Sequence, residues 1–214
     1  MKLTPKRYWI SGHKRYLTLP WIDKPSIFAT QVIKYLPKNG KLLDLGAGQG
    51  QDSRFFTKKG YDVLCTDFSD FALKIAKEKA SGEKLNIKFF EVDVSRKLPF
   101  PNNEFDIVYS HLALHYWDKE KTKRIFNEVL RVLKTGGVFA AIFNSIYDPE
   151  IAELRKIGQN YYFDEKIGMA RSYYSVSYMN DLIDGSFDIK MIDEKGRTYK
   201  DINEKLFRFI GLKK

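Results

Sequence analysis

From residue 40 to residue 145 the chain alternates short apolar runs with stretches whose apolar positions recur every three or four residues. The runs are Leu42 to Leu45, Tyr61 to Asp67, Ile87 to Asp93, Phe105 to Ser110 and Val138 to Asn144. Near-continuous apolar runs of this length read as strands buried on both faces. The stretches between them read as helices. One spans roughly 52–59 and ends at Gly60; the next is capped by Ser69 and runs to about Ala80 with Ala72, Ile75, Ala76 and Lys79 in register. Asp118 caps a longer one, in which Ile125, Val129 and Val132 share a face, closed by Gly136-Gly137. Upstream, Ser26 to Tyr35 reads as a helix ended by Pro37-Lys38-Asn39-Gly40. Regular strand–helix alternation predicts an α/β fold with a doubly wound, mostly parallel sheet.

The pattern changes after Asn144. Asp148-Pro149 predicts a helix to about Gly158, and the aromatic stretch 161–174 an irregular loop or lid. Ser175 or Ser177 caps a short helix through Ile183, and Phe187 to Glu194 and Leu206 to Leu212 read as two strands. The whole is read as a single domain over residues 1–214: an arm and helix in 1–41, a ligand-binding core in 42–144, and substrate-side helices and strands in 145–214.

The most specific chemistry lies at the end of the first run, in Asp44-Leu45-Gly46-Ala47-Gly48-Gln49-Gly50. Glycines at alternate positions let the backbone turn sharply and approach a ligand, and the helix that follows offers N–H groups at its N-terminus. A dinucleotide fingerprint needs G-x-G-x-x-G, but Gln51 stands where its last glycine belongs. A phosphate loop needs G-x-x-x-x-G-K-[ST], and no lysine follows Gly50. Asp44 at the strand end repels a pyrophosphate and suits a ligand bearing positive charge. Asp67 ends the second strand about 20 residues beyond the loop, where a carboxylate accepts hydrogen bonds from ribose hydroxyls.

Composition narrows the class. At 43% hydrophobic and 15% aromatic residues the chain is globular, and no apolar run approaches the ~18–20 residues that span a bilayer. The basic start lacks the apolar core of a signal peptide. The lone Cys65 sits in a strand as a small apolar residue and excludes an internal disulfide and a cysteine-based metal cluster, so the chain is read as cytoplasmic and metal-free. Of the net charge of +10, most falls in residues 1–41, where nine lysines and arginines face Asp23 alone among interleaved aromatics. That mixture suits either a solvated surface or an anionic partner such as RNA.

The glycine loop with its preceding acid resembles that of the class I S-adenosylmethionine-dependent methyltransferases. Gln51-Asp52-Ser53-Arg54, Thr66-Asp67-Phe68-Ser69, His111-Leu112-Ala113-Leu114-His115-Tyr116 and the segment Asn127 to Gly137 are similar to small methyltransferases of the tellurite-resistance type. The likeness covers residues 26–145 well and the remainder in topology. It implies a Rossmann-like seven-stranded sheet with an antiparallel C-terminal strand, and S-adenosylmethionine as cofactor. It further implies a cofactor site of Asp44, Gly46, Ala47, Gly48, Gly50 and Ser53 around the loop, with Asp67 and Phe68 at the ribose and adenine. Asp93 and Val94 then meet the adenine edge, while Ser110 and Leu112 border the methionine portion.

Methyl transfer from a sulfonium is a direct displacement that needs alignment, with a base only where the acceptor must lose a proton. His111 and His115 are the catalytic candidates, and Tyr116, Trp117, Tyr8 and Trp9 the substrate-wall candidates; His13 is read as solvated. Ser110-His111-Leu112-Ala113 stands where the nucleobase amino-methylating family carries N/D-P-P-Y/F, and the cysteine count argues against pyrimidine C5 methylation. A small-molecule acceptor is the leading expectation. RNA methylation through the basic arm and cofactor binding without catalysis are the alternatives.

Overall fold

The computed structural model describes residues 5–199 and 205–214, with side chains from Tyr8 onward. Its centre is a seven-stranded sheet in the order β3-β2-β1-β4-β5-β10-β9. Strand β1 (Lys41–Leu45) lies parallel between β2 (Asp62–Asp67) and β4 (Phe105–His111); β3 (Lys88–Glu91) and β5 (Leu133–Asn144) extend the parallel set. Strand β10 (Leu206–Lys213) inserts antiparallel between β5 and β9 (Phe187–Gly196). The expected doubly wound, seven-stranded sheet is therefore present.

Strand alternation sends neighbours to opposite faces and so builds two cores. Leu43, Leu45, Phe139, Phe207 and Phe209 pack against α5 (Lys119–Val132) and α6 (Val176–Ile183). Leu42, Ile107, Tyr109 and Ala140 pack against α2 (Ile27–Val32), α3 (Gln51–Lys58) and α4 (Asp70–Gly82). Ser26, Ser69, Asp118 and Ser175 cap four of these helices, each side chain accepting from a backbone N–H three residues on.

Four expectations are corrected. The first 25 residues contain a helix, α1 (Pro5–Tyr16), for which no element was expected. Helix α5 ends at Val132 rather than at the glycine pair; fully buried Leu133 pairs with Phe105, and Gly136-Gly137 fall inside β5 at a bulge in its pairing with β4. The helix expected after Pro149 is a single 3-10 turn, Pro149–Glu153. The aromatic stretch is ordered: β6 (Arg155–Gly158), β7 (Tyr161–Asp164) and β8 (Met169–Ser172) form a separate antiparallel sheet. Tyr161, Tyr162 and Phe163 have the high strand preference of aromatic residues, and Asn160 accepts the left-handed turn before them (φ 54°).

One buried polar network joins the N-terminal segment to the sheet. Asp52, at the start of α3, accepts from the Ser26 N–H at 2.6 Å and the Ser26 hydroxyl at 2.7 Å through its two oxygens. It also accepts from the Tyr109 hydroxyl of β4 at 2.7 Å. Asp52→Ala leaves the Ser26 N–H and one of the two hydroxyls without an acceptor, the other hydroxyl still reaching its neighbour at 3.1 Å. It is expected to lower stability by about 2–4 kcal/mol in urea denaturation, whereas removing the exposed Thr30 hydroxyl changes it by less than about 0.5 kcal/mol.

Candidate functional site

The chain leaves the C-terminal end of β1 and turns through Gly46 to Gly50 into α3. Gly46 has φ 72°, and a Cβ there would sit 2.2 Å from the Ala113 Cβ, so no other residue fits this turn. Gly48 has φ 57°, and its open face is covered by the His13 imidazole, whose Cε1 lies 3.0 Å from where a Cβ would stand. The neighbouring strand holds the loop in place. Asp67, at the end of β2, accepts from the Gly48 N–H at 2.9 Å and from the Ser69 N–H at 2.8 Å, while the Thr66 carbonyl accepts from the Ala47 N–H at 2.8 Å.

Two carboxylates here are nearly sealed from solvent. Burial pushes the Asp67 carboxyl up to about 6, against three backbone hydrogen bonds that favour its ionised form. Asp44 is 1% exposed and accepts from the Ser53 hydroxyl at 2.6 Å; burial raises its carboxyl well above the usual range, and the nearby charges of Asp52 and Asp67 raise it further. Such a group ionises readily only when a cation arrives.

A cavity of about 600 Å³ opens at this end of the sheet. Asp44, Asp52, Asp67 and Asp93 line it, and among the described residues no lysine or arginine does, in a chain with a net charge of +10. The loop residues Gly46, Ala47 and Gly48 form its floor with Phe68, and Val94, His111 and Leu112 stand along the strand ends. Asp93 lies two residues beyond β3, accepts from the Ser95 N–H at 2.9 Å and pairs with Arg96 at 3.2 Å.

Not every expected site residue faces this space. Gly50 packs toward Ala76 of α4; Ser53 supports Asp44 from behind; the Ser110 hydroxyl donates to the Leu45 carbonyl at 2.9 Å. His115 is buried outside the lining, its carbonyl accepting from the Ser172 N–H. Tyr8 also stands outside and packs edge-on to Trp9 at 5.4 Å. Tyr116 and Trp117 do line the cavity, and burial holds the Tyr116 phenol far above its ordinary value, so it remains protonated.

Of the roof, only Trp9 was expected at the site; the helix that carries it, and its neighbours, were not. Trp9, His13 and Tyr16 of α1 line the cavity from above, together with Trp21. His13, expected to be solvated, is 6% exposed, and its carbonyl accepts from the Gln49 side chain at 2.8 Å. Trp9 packs edge-on to Tyr116 at 5.7 Å, and Tyr16 lies against Trp21 at 5.2 Å. The signal was legible: positions 9, 13 and 16 fall on one helical face, with Lys14 and Arg15 exposed.

Residues 42–137 match the family model described as a methyltransferase domain. These residues are a methyltransferase domain, in the fold of the class I S-adenosylmethionine-dependent enzymes. An uncharacterised chloroplastic methyltransferase of Arabidopsis thaliana is 32% identical over 67% of this chain and 42% of its own length. The chain spans roughly a third to just over half of the length of the curated relatives it matches. A Pyrococcus horikoshii protein of known structure superposes with TM-score 0.73 at 22% identity, covering 94% of this chain and 99% of that one. The 1,6-didemethyltoxoflavin N1-methyltransferase of Burkholderia thailandensis, solved with S-adenosylhomocysteine and 1,6-didemethyltoxoflavin, superposes with TM-score 0.73 at 15% identity over 100% of this chain and 92% of that one.

The methyltransferase site suits S-adenosylmethionine in its chemistry: buried carboxylates for a ligand with ammonium, sulfonium and hydroxyl groups, and a tight glycine turn that brings backbone to the cavity. A ligand hydroxyl donating to Asp67 favours its ionised form, so affinity for S-adenosylhomocysteine is expected to fall as pH drops through about 6. The unliganded fold responds in the opposite sense. Because the folded value lies above the unfolded chain's ordinary 3.8, Asp67 contributes stability that is full below about 4 and lost as pH rises through about 6. Calorimetric binding and thermal unfolding across pH 4–7 check both slopes, and Asp67→Asn is expected to flatten each.

Proposed function

We propose that this protein methylates a small acceptor that bears no phosphate or carboxylate, using S-adenosylmethionine. The observation that carries the reading is the cavity itself: α1 roofs it, and no described lysine or arginine lines it. An anionic acceptor in this space would meet carboxylates, with no lysine or arginine in the described lining to offset them. The likeness to the B. thailandensis enzyme, whose structure holds 1,6-didemethyltoxoflavin, supports a small acceptor.

In this reading Asp44 holds the cofactor ammonium, Asp67 the ribose hydroxyls, Phe68 the adenine face, and Asp93 with the Val94 N–H the adenine edge. When bound, S-adenosylmethionine supplies a methyl group on a sulfonium. The chain's task is to exclude water and align the acceptor with that methyl group, through Trp9, Tyr116 and Trp117. Where the acceptor must lose a proton, His111 at the end of β4 is placed to take it; His115 stands outside the lining and is assigned no such part.

RNA methylation draws on a different observation, the exposed Lys14 and Arg15 on the outer face of α1. Of the other basic residues near the start, Lys2 lies outside the described residues, and the side chains of Lys6 and Arg7 are not described. No helix among the described residues is long and apolar enough to cross a membrane. The proposal places the protein in the cytoplasm.

Incubation of the protein with methyl-labelled cofactor and a cell extract, followed by separation of small molecules from RNA, tests the acceptor class. Label is expected in the small-molecule fraction, dependent on the protein and weakened by Trp9→Ala. Label in RNA overturns the acceptor class, and label in neither fraction favours a binding protein without catalysis.

A further inference from the structure

Charge accounting in the cavity leaves one end of the cofactor without a partner among the residues assigned so far. S-adenosylmethionine carries a carboxylate beside its ammonium, and four carboxylates already line the space. A further carboxylate a few ångströms from these, in a low-dielectric pocket, needs a hydrogen-bond donor to offset the repulsion. The glycine loop is largely committed. The Ala47 N–H donates to the Thr66 carbonyl, the Gly48 N–H to Asp67, and the Gly50 N–H to the Ala47 carbonyl. Lysine and arginine are absent from the lining among the described residues, which leaves His13 and His111 as its basic side chains.

Of the two, His13 lies on the loop itself. Its Cε1, Nδ1 and Nε2 stand 3.0, 3.9 and 4.0 Å from the position a Gly48 Cβ would occupy, so the ring spans the open face of that glycine. Its backbone is fixed from the loop side by the Gln49 side chain at 2.8 Å, and Trp9 and Tyr16 flank the ring at 5.9 and 6.0 Å. Lys14, one residue on, rests over the Phe71 ring of α4 at 5.6 Å and holds this turn of α1 down. His111 stands at the end of β4, where the acceptor is aligned.

We infer that His13 is a cofactor-binding residue, donating an imidazole N–H to the carboxylate of S-adenosylmethionine from the roof. The inference rests on the proposed cofactor reading, and it makes α1 part of the cofactor site as well as its cover. Ligand occupancy and docking of α1 are then linked through one side chain.

The test pairs two ligands with variants that keep the ring or its bulk and lose the N–H. Wild type, His13→Phe, His13→Leu and His111→Phe are titrated by calorimetry with S-adenosylhomocysteine and with its decarboxylated analogue; unliganded thermal unfolding shows which variants are folded. A folded His13 variant is expected to lose about ten- to a hundred-fold in affinity for S-adenosylhomocysteine and less than about three-fold for the analogue, as befits one hydrogen bond to a charged group. Equal losses on both ligands would make His13 a packing residue and overturn the inference. So would a carboxylate-dependent loss in His111→Phe in place of the His13 variants. Failure of the wild type to bind either ligand overturns the cofactor reading itself, and the inference falls with it.

Discussion

The hydrogen bond from the Gly48 N–H to the Asp67 carboxylate is the contact on which the site depends. It ties the end of β2 to the turn after β1, so two neighbouring strands of the parallel set also fix the loop's path. The left-handed Gly46 and Gly48 make that path sterically possible, and the parallel register of β1 with β2 brings Asp67 beside it. The carboxylate's burial raises its proton affinity while three backbone donors oppose the rise. The fold thus holds a group near its titration point against the loop that it orders. Asp44, sealed beneath and bonded to Ser53, extends the same logic one strand over.

These buried acids are costly in an empty pocket and favourable beside a cation. That sign explains how a strongly basic chain can carry an acidic cavity. Many of its lysines and arginines pair away from the cavity, as Lys58 does with Glu83 and Arg131 with Glu128. The cavity lining is left, among its charged and bulky groups, to aromatics, histidines and carboxylates. The cavity's chemistry suits the methyl donor, and in the proposed reading it disfavours anionic acceptors.

Legibility followed the strength of local pattern. The parallel strands and capped helices of residues 41–132 were readable because each is an apolar run or a 3.6-residue repeat with its own cap, and the glycine loop was readable because its spacing is incompatible with the competing nucleotide motifs. The small sheet of β6, β7 and β8 was missed because Pro149 opens a helical turn that non-local pairing of Arg155 with Phe163 then overrides. Helix α1 was missed because its lysines and arginines drew attention to charge, while Trp9, His13 and Tyr16 carried the structure. Ser53, Ser110, Gly50 and His115 share a general cause: strand-end and loop positions are identifiable by spacing, but which of two faces a side chain takes depends on neighbours such as Asp44 and Leu45.

The central claim is that this pocket is built for an adenosyl ligand bearing an ammonium group and against a dinucleotide. Isothermal calorimetry at neutral pH with S-adenosylhomocysteine and, separately, with NADH at equal concentration tests it most directly. The account predicts one-to-one binding of S-adenosylhomocysteine and no heat from NADH; binding of NADH with silence from S-adenosylhomocysteine would contradict it.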